Sequence, residues 1–252
     1  MAECAGCAFS FLYIKVNTMD YSEFESKLGY EFKDKELLEL AFTHTTYVFE
    51  CNVDHCYSNQ RLEFIGDAVM DLIVGRKIYE MKPMEGEGYL SKIRSIVVCE
   101  SSFAKVARRL EIGKWLKLGR GEESTNGRDK DSTLADAFEA VIAAVYFDGG
   151  IDVASDVILR NLEDIIDDAV AGRIFLDYKS RLFELAQSKN NRHEIRFEIL
   201  DERGPAHMRE FEVAVFADDT LLAKATGGSK KHAEQNCAKE ALPVYEELFG
   251  NM

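Results

Sequence analysis

At 252 residues, with 46% hydrophobic and 30% charged side chains and only 3 Pro and 17 Gly, the chain is globular in composition, neither collagen-like nor mostly disordered, and long enough for one large core or two smaller ones. Acidic side chains outnumber basic ones 45 to 31, a formal net charge of −14, which taken alone argues against a polyanionic partner. No apolar run approaches the ~18 residues of a membrane span, and six Cys without a repeating spacing exclude a disulfide scaffold and point to reduced thiols in a cytoplasmic protein.

The opening MAECAGCAFSFLYIK joins an apolar stretch to an acidic start, where a secretory leader begins basic. Residues 1–18 therefore read as an extension peripheral to the fold. Cys4 and Cys7 have metal-ligand spacing, and Cys51 with Cys56 bring the thiols to four, but no surrounding residues support a zinc site. From Tyr21 to about Ala171 apolar residues recur three and four apart, as in Leu37-Leu38-Ala41-Phe42, Ile65-Val69-Leu72-Ile73, Ile93-Ile96-Val97 and Phe138-Val141-Ile142-Val145, which predicts an all-α domain. Met84 to Gly88 is a Gly- and charge-rich turn, and the long polar stretch Gly119 to Asp131 is expected to be a mobile loop. Gly172 is placed to end the last helix, and residues 173–176 form a linker.

From Asp177 the pattern becomes helix, three strands, helix. Asp177 is a helix cap ahead of Leu182, Phe183, Leu185 and Ala186. Ile195, Phe197 and Ile199 then alternate with charged residues, Phe211, Val213 and Val215 repeat the period of two, and a third short strand follows near Leu221 to Ala225. Ala233, Cys237, Ala238, Ala241 and Leu242 give the closing helix its apolar stripe. Two domains follow, an all-α domain over 19–172 and an α+β domain (α-β-β-β-α) over 177–250. Residues 177–252 carry 11 basic and 14 acidic side chains, leaving 20 and 31 for residues 1–176, so the acidity belongs mostly to the helical part.

Carboxylates in unexpected places carry the chemistry. In Asn59-Gln60-Arg61-Leu62-Glu63-Phe64-Ile65-Gly66-Asp67-Ala68 a helix places Glu63 and Asp67 four apart on one face, where like charges repel. Asp136 and Glu139 lie three apart in Leu134-Ala135-Asp136-Ala137-Phe138-Glu139-Ala140, an otherwise apolar helix. Four carboxylates from two such helices suit a hard divalent cation with oxygen ligands, magnesium above all, and magnesium in turn suits a phosphate substrate. Plainer readings stand beside this one: Asp136 completes a capping box three residues after Thr133, and Glu63 and Asp71 are solvated surface residues.

The segment Gln60 to Ala68 closely resembles the signature motif of the ribonuclease III family, and Leu134 to Ala140 resembles that family's second acidic motif. The resemblance extends from Tyr21 to Phe249 and includes Leu28-Gly29-Tyr30-Glu31-Phe32 and Thr43-His44. It implies an all-α ribonuclease III endonuclease domain followed by a double-stranded RNA-binding domain. Glu63, Asp67, Asp136 and Glu139 then surround catalytic Mg2+, for which Mn2+ can substitute, with Asp67 and Glu139 catalytic and Glu87 a supporting acid. The family usually has Glu where this chain has Gln60, a neutral amide and a weaker cation ligand. The implied reaction is hydrolysis of double-stranded RNA: water made more acidic by the cation attacks phosphorus in line, leaving 5′-phosphate and 3′-hydroxyl ends with short 3′ overhangs. A homodimer formed through the catalytic domain and the processing of ribosomal RNA precursors and some messenger RNAs are implied as well.

In the second domain the resemblance assigns Glu184 to ribose 2′-hydroxyls, His207 in Gly204-Pro205-Ala206-His207 to a minor groove, and Lys230 and Lys231 to phosphates at a helix N-terminus. His44 is assigned a packing or hydrogen-bonding role. Two competing functions remain: a non-cleaving RNA scaffold, which is expected to have lost one of the four carboxylates, and a phosphohydrolase of small nucleotides, which leaves residues 177–252 without a purpose.

Overall fold

The computed structural model describes residues 19–52, 54–174, 177–187, 192–204 and 209–249. Cys4, Cys7 and the Pro205-Ala206-His207 segment lie outside them. The chain packs as two units, residues 1–167 and 168–252. Among the described residues no helix is long and apolar enough to cross a membrane.

The first unit is helical: α1 (Ser22–Leu28), α2 (Lys35–Ala41), α3 (Thr45–Glu50), α4 (Gln60–Met81), α5 (Glu87–Val97), α6 (Glu100–Arg109), α7 (Arg120–Ser124), α8 (Asp131–Gly149) and α9 (Ile151–Val170). Its centre is α8, where Leu134, Ala135, Ala137, Phe138 and every residue from Ala140 to Val145 are buried. A helix apolar on all sides needs neighbours on all sides, and α2, α4 and α6 pack against it. Asp136 and Glu139 interrupt this apolar surface on the side of α4. The two long helices touch backbone to backbone at Gly66, where a Cβ would lie 2.0 Å from the Glu139 carbonyl oxygen.

The segment leading into α3 is anchored by rings. Phe42 is fully buried among Tyr21, Phe24 and Trp115, its centroid 5.0 Å from that of Phe24. Thr43 then pairs with Lys117 in a short parallel bridge, in which the Lys117 N–H donates to the Phe42 carbonyl at 2.8 Å and the His44 N–H to the Lys117 carbonyl at 3.1 Å. The Asn59 N–H donates to the Thr43 carbonyl and the Glu63 N–H to the Asn59 carbonyl, so the same segment fixes the start of α4. At the other end of α8, Asp148 accepts from the Tyr30 hydroxyl and from the Lys33 and Asp34 N–H groups at 2.6–3.0 Å, which pins the turn between α1 and α2.

Three sequence expectations are revised. The stretch from Gly119 to Asp131 contains α7 and a 3-10 turn, Gly127–Asp129, and Arg128 ties it down by donating to the Gly113 and Leu116 carbonyls at 2.8 Å. Leu72, placed in the core by its period, is 63% exposed, in an outward row of α4 with Phe64 and Tyr79. Because α8 begins at Asp131, Thr133 is a buried helical residue and no capping box joins it to Asp136. Gly172 ends α9 as read: at φ +69° its N–H donates to the Ala169 carbonyl and the Arg173 N–H to the Asp168 carbonyl, a Schellman arrangement.

The second unit holds α10 (Tyr178–Ala186), β1 (Ile195–Arg203), β2 (Glu210–Ala217), β3 (Thr220–Gly227) and α11 (Lys230–Phe249), with the strands antiparallel in the order β1-β2-β3. Phe211, Val213, Val215 and Ala217 of β2 form one core with Leu182 and Ala186 of α10 and Ala233, Cys237, Ala238 and Ala241 of α11. Small residues on α11 let it lie close to the sheet, and the buried Cys237 thiol donates to the Val213 and Ala223 carbonyls. Asp177 caps α10 by accepting the Ser180 N–H at 2.9 Å, and the Gln235 amide holds it from α11 at 2.7 Å.

Candidate metal centre and nucleic-acid interface

Glu63 of α4 and Asp136 and Glu139 of α8 bring one carboxylate oxygen each to within 4.8 Å of one another, and all three side chains are half-buried. Helical spacing sets the α8 pair on one side of that helix, and the glycine contact at Gly66 brings α4 close enough for Glu63 to meet them. Asp67, one turn after Glu63, is exposed at the border of the group. Its charge acts on both Glu63 and Glu139.

Crowded and partly desolvated acids resist ionisation. Burial first, then the charges of Asp67, Asp136 and Glu63, push Glu139 up to about 8. Burial also raises Glu63, with Asp136 and Asp67 adding to the effect. Asp136 is raised chiefly by burial; His44 and Lys130 oppose the rise and Glu100 adds to it. An oxygen-only donor set with excess negative charge fits a hard divalent cation, which would take the place of the proton on Glu139.

The remaining predicted positions divide. Glu87 opens α5, is exposed and accepts the Ser91 hydroxyl at 2.8 Å; it is not among the three converging acids. Gln60 is the exposed first residue of α4. In the second unit Glu184 is exposed on α10 with Arg181 at 3.4 Å, and Lys230 and Lys231 are exposed at the start of α11. The Lys230 ammonium lies 5.7 Å from the centroid of the Phe211 ring. His207 lies outside the described residues.

Glu100 and Lys130, whose charges act on Asp136, escape sequence reasoning, as does Glu122 beside Lys130; His44, read as a packing or hydrogen-bonding residue, acts on Asp136 as well. His44 caps α3, its Nδ1 accepting the Thr46 N–H at 3.3 Å, and Lys130 precedes α8 with the Glu122 carboxylate at 3.6 Å. These residues belong to other elements and reach the site through packing. Only the Thr43-His44 pair left a trace in the sequence.

Comparison with known proteins gives the same division of the chain. A family described as Ribonuclease-III-like matches residues 34–165, and one described as double-stranded RNA binding motif matches residues 178–245. Ribonuclease 3 of Pelotomaculum thermopropionicum is 44% identical over 218 residues, covering 86% of this chain and 90% of that protein. Ribonuclease 3 of Clostridium perfringens is 44% identical over 226 residues, covering 90% and 94%. Among solved structures, the nuclease domain of ribonuclease III from Campylobacter jejuni, described for flexibility in a region involved in dimer formation, aligns with TM-score 0.54 and 41% identity over 57% of this chain and 97% of that one.

Proposed function

The chain belongs to the ribonuclease III family and is a double-strand-specific endoribonuclease with its own double-stranded RNA-binding domain, and from that premise we propose how its residues divide the work. The observation that carries the proposal is the convergence of Glu63, Asp136 and Glu139 from two otherwise apolar helices. With Asp67 at the border, these acids hold Mg2+, with Mn2+ as a substitute. The bound cation supplies Lewis acidity, making water a better nucleophile and offsetting charge that develops on the phosphodiester oxygens.

The protein residues prepare that chemistry. Glu139, protonated up to about pH 8 in the metal-free protein, would have to give up its proton to hold the cation, so metal affinity would rise with pH. Asp67 stands exposed at the border of the acids, and Glu87 and Gln60 stand at the first turns of α5 and α4 as supporting groups on the RNA side. On the second domain Lys230 and Lys231 meet phosphates, where side-chain charge and helix dipole act on the same anion. Glu184 and His207 take 2′-hydroxyl and minor-groove contacts.

The catalytic domain extends over 19–172 and the RNA-binding domain over 177–250, joined by 173–176; the expected N-terminal extension, 1–18, lies outside the described residues. The outward row of Phe64, Leu72 and Tyr79 on α4, each more than 60% exposed, is an apolar face suited to a second copy of the chain. A homodimer formed there places one site against each strand and leaves short 3′ overhangs bearing 5′-phosphate and 3′-hydroxyl ends. Cytoplasmic processing of ribosomal RNA precursors and some messenger RNAs is the matching role.

The test is cleavage of a labelled duplex, its separate strands and a nucleotide, each with magnesium and with chelator. The duplex alone is cut, only with the cation, and end analysis finds 5′-phosphates. Hydrolysis of the nucleotide, or a bound duplex that stays uncut in both Mg2+ and Mn2+, overturns the reading.

A further inference from the structure

The proposed metal centre accounts for acids only, yet the charges of His44 and Lys130 also act on Asp136. The His44 ring is fixed by its neighbours. Nδ1 accepts the Thr46 backbone N–H at 3.3 Å, and the Thr46 hydroxyl oxygen lies 2.8 Å from the same nitrogen. That hydroxyl oxygen already accepts the Gly119 N–H at 3.0 Å, which leaves its proton to point at Nδ1. A proton on Nδ1 would face the Thr46 N–H, so Nδ1 presents its lone pair and the ring carries its proton on Nε2. The arrangement is rigid: a Cβ at Gly119 would lie 2.7 Å from the Thr46 carbonyl oxygen, and the His44 N–H is held by the Lys117 carbonyl.

Among the described residues, no protein group accepts from Nε2 within hydrogen-bond distance. The charges that act on the ring are those of Glu122, Asp136 and Lys130, and the residue before His44, Thr43, accepts the Asn59 N–H at the start of α4, the helix that carries Glu63. Lys130 is the other basic group whose charge acts on Asp136. Its neighbours are neutralised at close range: Arg128 donates to Glu123 at 2.6 Å, and Arg108 to Asp129 and Asp131 at 2.8 and 2.6 Å. The Lys130 ammonium, 59% exposed, comes only to 3.6 Å from Glu122, beyond a hydrogen bond, and no side chain caps the N-terminus of α8 that it precedes. A fixed N–H donor and a loosely held cation beside oxygen ligands make one half of a site whose missing half is an anion with acceptor oxygens.

We propose that His44 and Lys130 form a phosphate subsite of the nuclease domain, His44 donating Nε2–H to a non-bridging oxygen of the RNA strand held at the metal centre and Lys130 countering that phosphate's charge. The subsite rests on the placement of the cation at Glu63, Asp136 and Glu139. It makes His44 a substrate contact, distinct from its second task of capping α3.

The two tasks separate by substitution. In His44→Asn the Oδ1 atom occupies the place of Nδ1 and keeps the cap, while the Nε2 donor is gone. In His44→Gln the amide N–H reaches the place of Nε2 and the cap is lost. Both are made in the full-length chain and compared with the wild type in melting temperature, Mn2+ binding by calorimetry, and single-turnover cleavage of a labelled duplex. The expected result is that His44→Asn melts with the wild type, binds Mn2+ as the wild type does, and cleaves about tenfold more slowly. His44→Gln melts lower but cleaves faster than His44→Asn. Lys130→Gln weakens kcat/KM and flattens its salt dependence without changing Mn2+ binding.

A His44→Asn enzyme that cleaves at the wild-type rate, or a His44→Gln enzyme no faster than it, overturns the subsite; should His44→Asn fail to fold, Lys130→Gln with an unchanged kcat/KM and salt slope does so. Loss of Mn2+ binding in His44→Asn overturns it too, moving His44 to the metal side. Absence of Mn2+ binding in the wild type is a different failure, that of the cation placement itself.

Discussion

In the metal-free protein Glu139 keeps its proton up to about pH 8, because it is half-buried among three other carboxylates. An unfolded glutamate releases its proton near 4.5. Between those values the folded state binds more protons than the unfolded one, so the stability that protonated Glu139 contributes is full below about pH 4.5 and is lost as pH rises through about 8. In chelator, the melting temperature of the nuclease domain therefore falls between pH 5 and pH 8.5. Glu139→Gln, which keeps the shape and removes the titration, reduces that fall and melts several degrees higher than wild type at pH 8.5. Calorimetry of both proteins at the two pH values checks this, and equal losses in the two would contradict it. Strained acids of this kind mark a site selected for chemistry over stability.

At the scale of elements, the proposed metal centre depends on how closely α4 approaches α8. Gly66 sets that approach, since any side chain there meets the backbone of Glu139. Gly66→Ala is expected to push the helices apart, cost about 1–3 kcal/mol of stability and separate Glu63 from the α8 acids. Cleavage at a temperature where the variant stays folded should drop with it; full activity in a folded Gly66→Ala protein would show that the spacing is not critical. In the RNA-binding domain the exposed start of α11 is the corresponding element. Replacing Lys230 and Lys231 with Ala should weaken duplex binding and lower the slope of log K against log salt by about two, as two fewer phosphates are neutralised. A filter-binding series across salt measures it, and an unchanged slope removes these lysines from the phosphate contacts.

Much of this level was legible in the sequence, because both periods follow from burial on one face. The strands of 195–227 and the acids inside apolar α8 could be read from alternation and spacing alone. Leu72 misled because an apolar residue at core spacing on a helix need not face the chain's own core. The Gly119–Asp131 stretch misled because its order comes from Arg128 reaching carbonyls 12 and 15 residues away, which no local pattern records.

At the scale of the whole molecule, net charge was the poorest guide. A chain of formal charge −14 carries a double-stranded RNA-binding motif all the same: on the proposed function, the acids that repel RNA are those that fit a cation, and the cations that meet RNA are a local patch on an acidic domain. The four central carboxylates were legible from their spacing, and their role from family resemblance. Of His44 only a packing or hydrogen-bonding role was, and Glu100, Glu122 and Lys130 were not legible at all, since only folding brings them from separate helices and turns together. Both domains are therefore needed to read the function: one belongs to a family that grips the duplex by shape, and the other is proposed to become competent when a cation neutralises its acids.

The central claim is that the carboxylates of α4 and α8 hold the cation that cuts a duplex which the protein binds by other means. Its most direct measurement compares wild type and Glu139→Gln on one uniformly labelled RNA duplex, with magnesium and with chelator, recording complex formation and cleavage in the same samples. The account predicts that the wild type cuts only with magnesium, while Glu139→Gln forms the complex and cuts at least about a hundredfold more slowly. Cleavage by Glu139→Gln at the wild-type rate, or by the wild type in chelator, would contradict it.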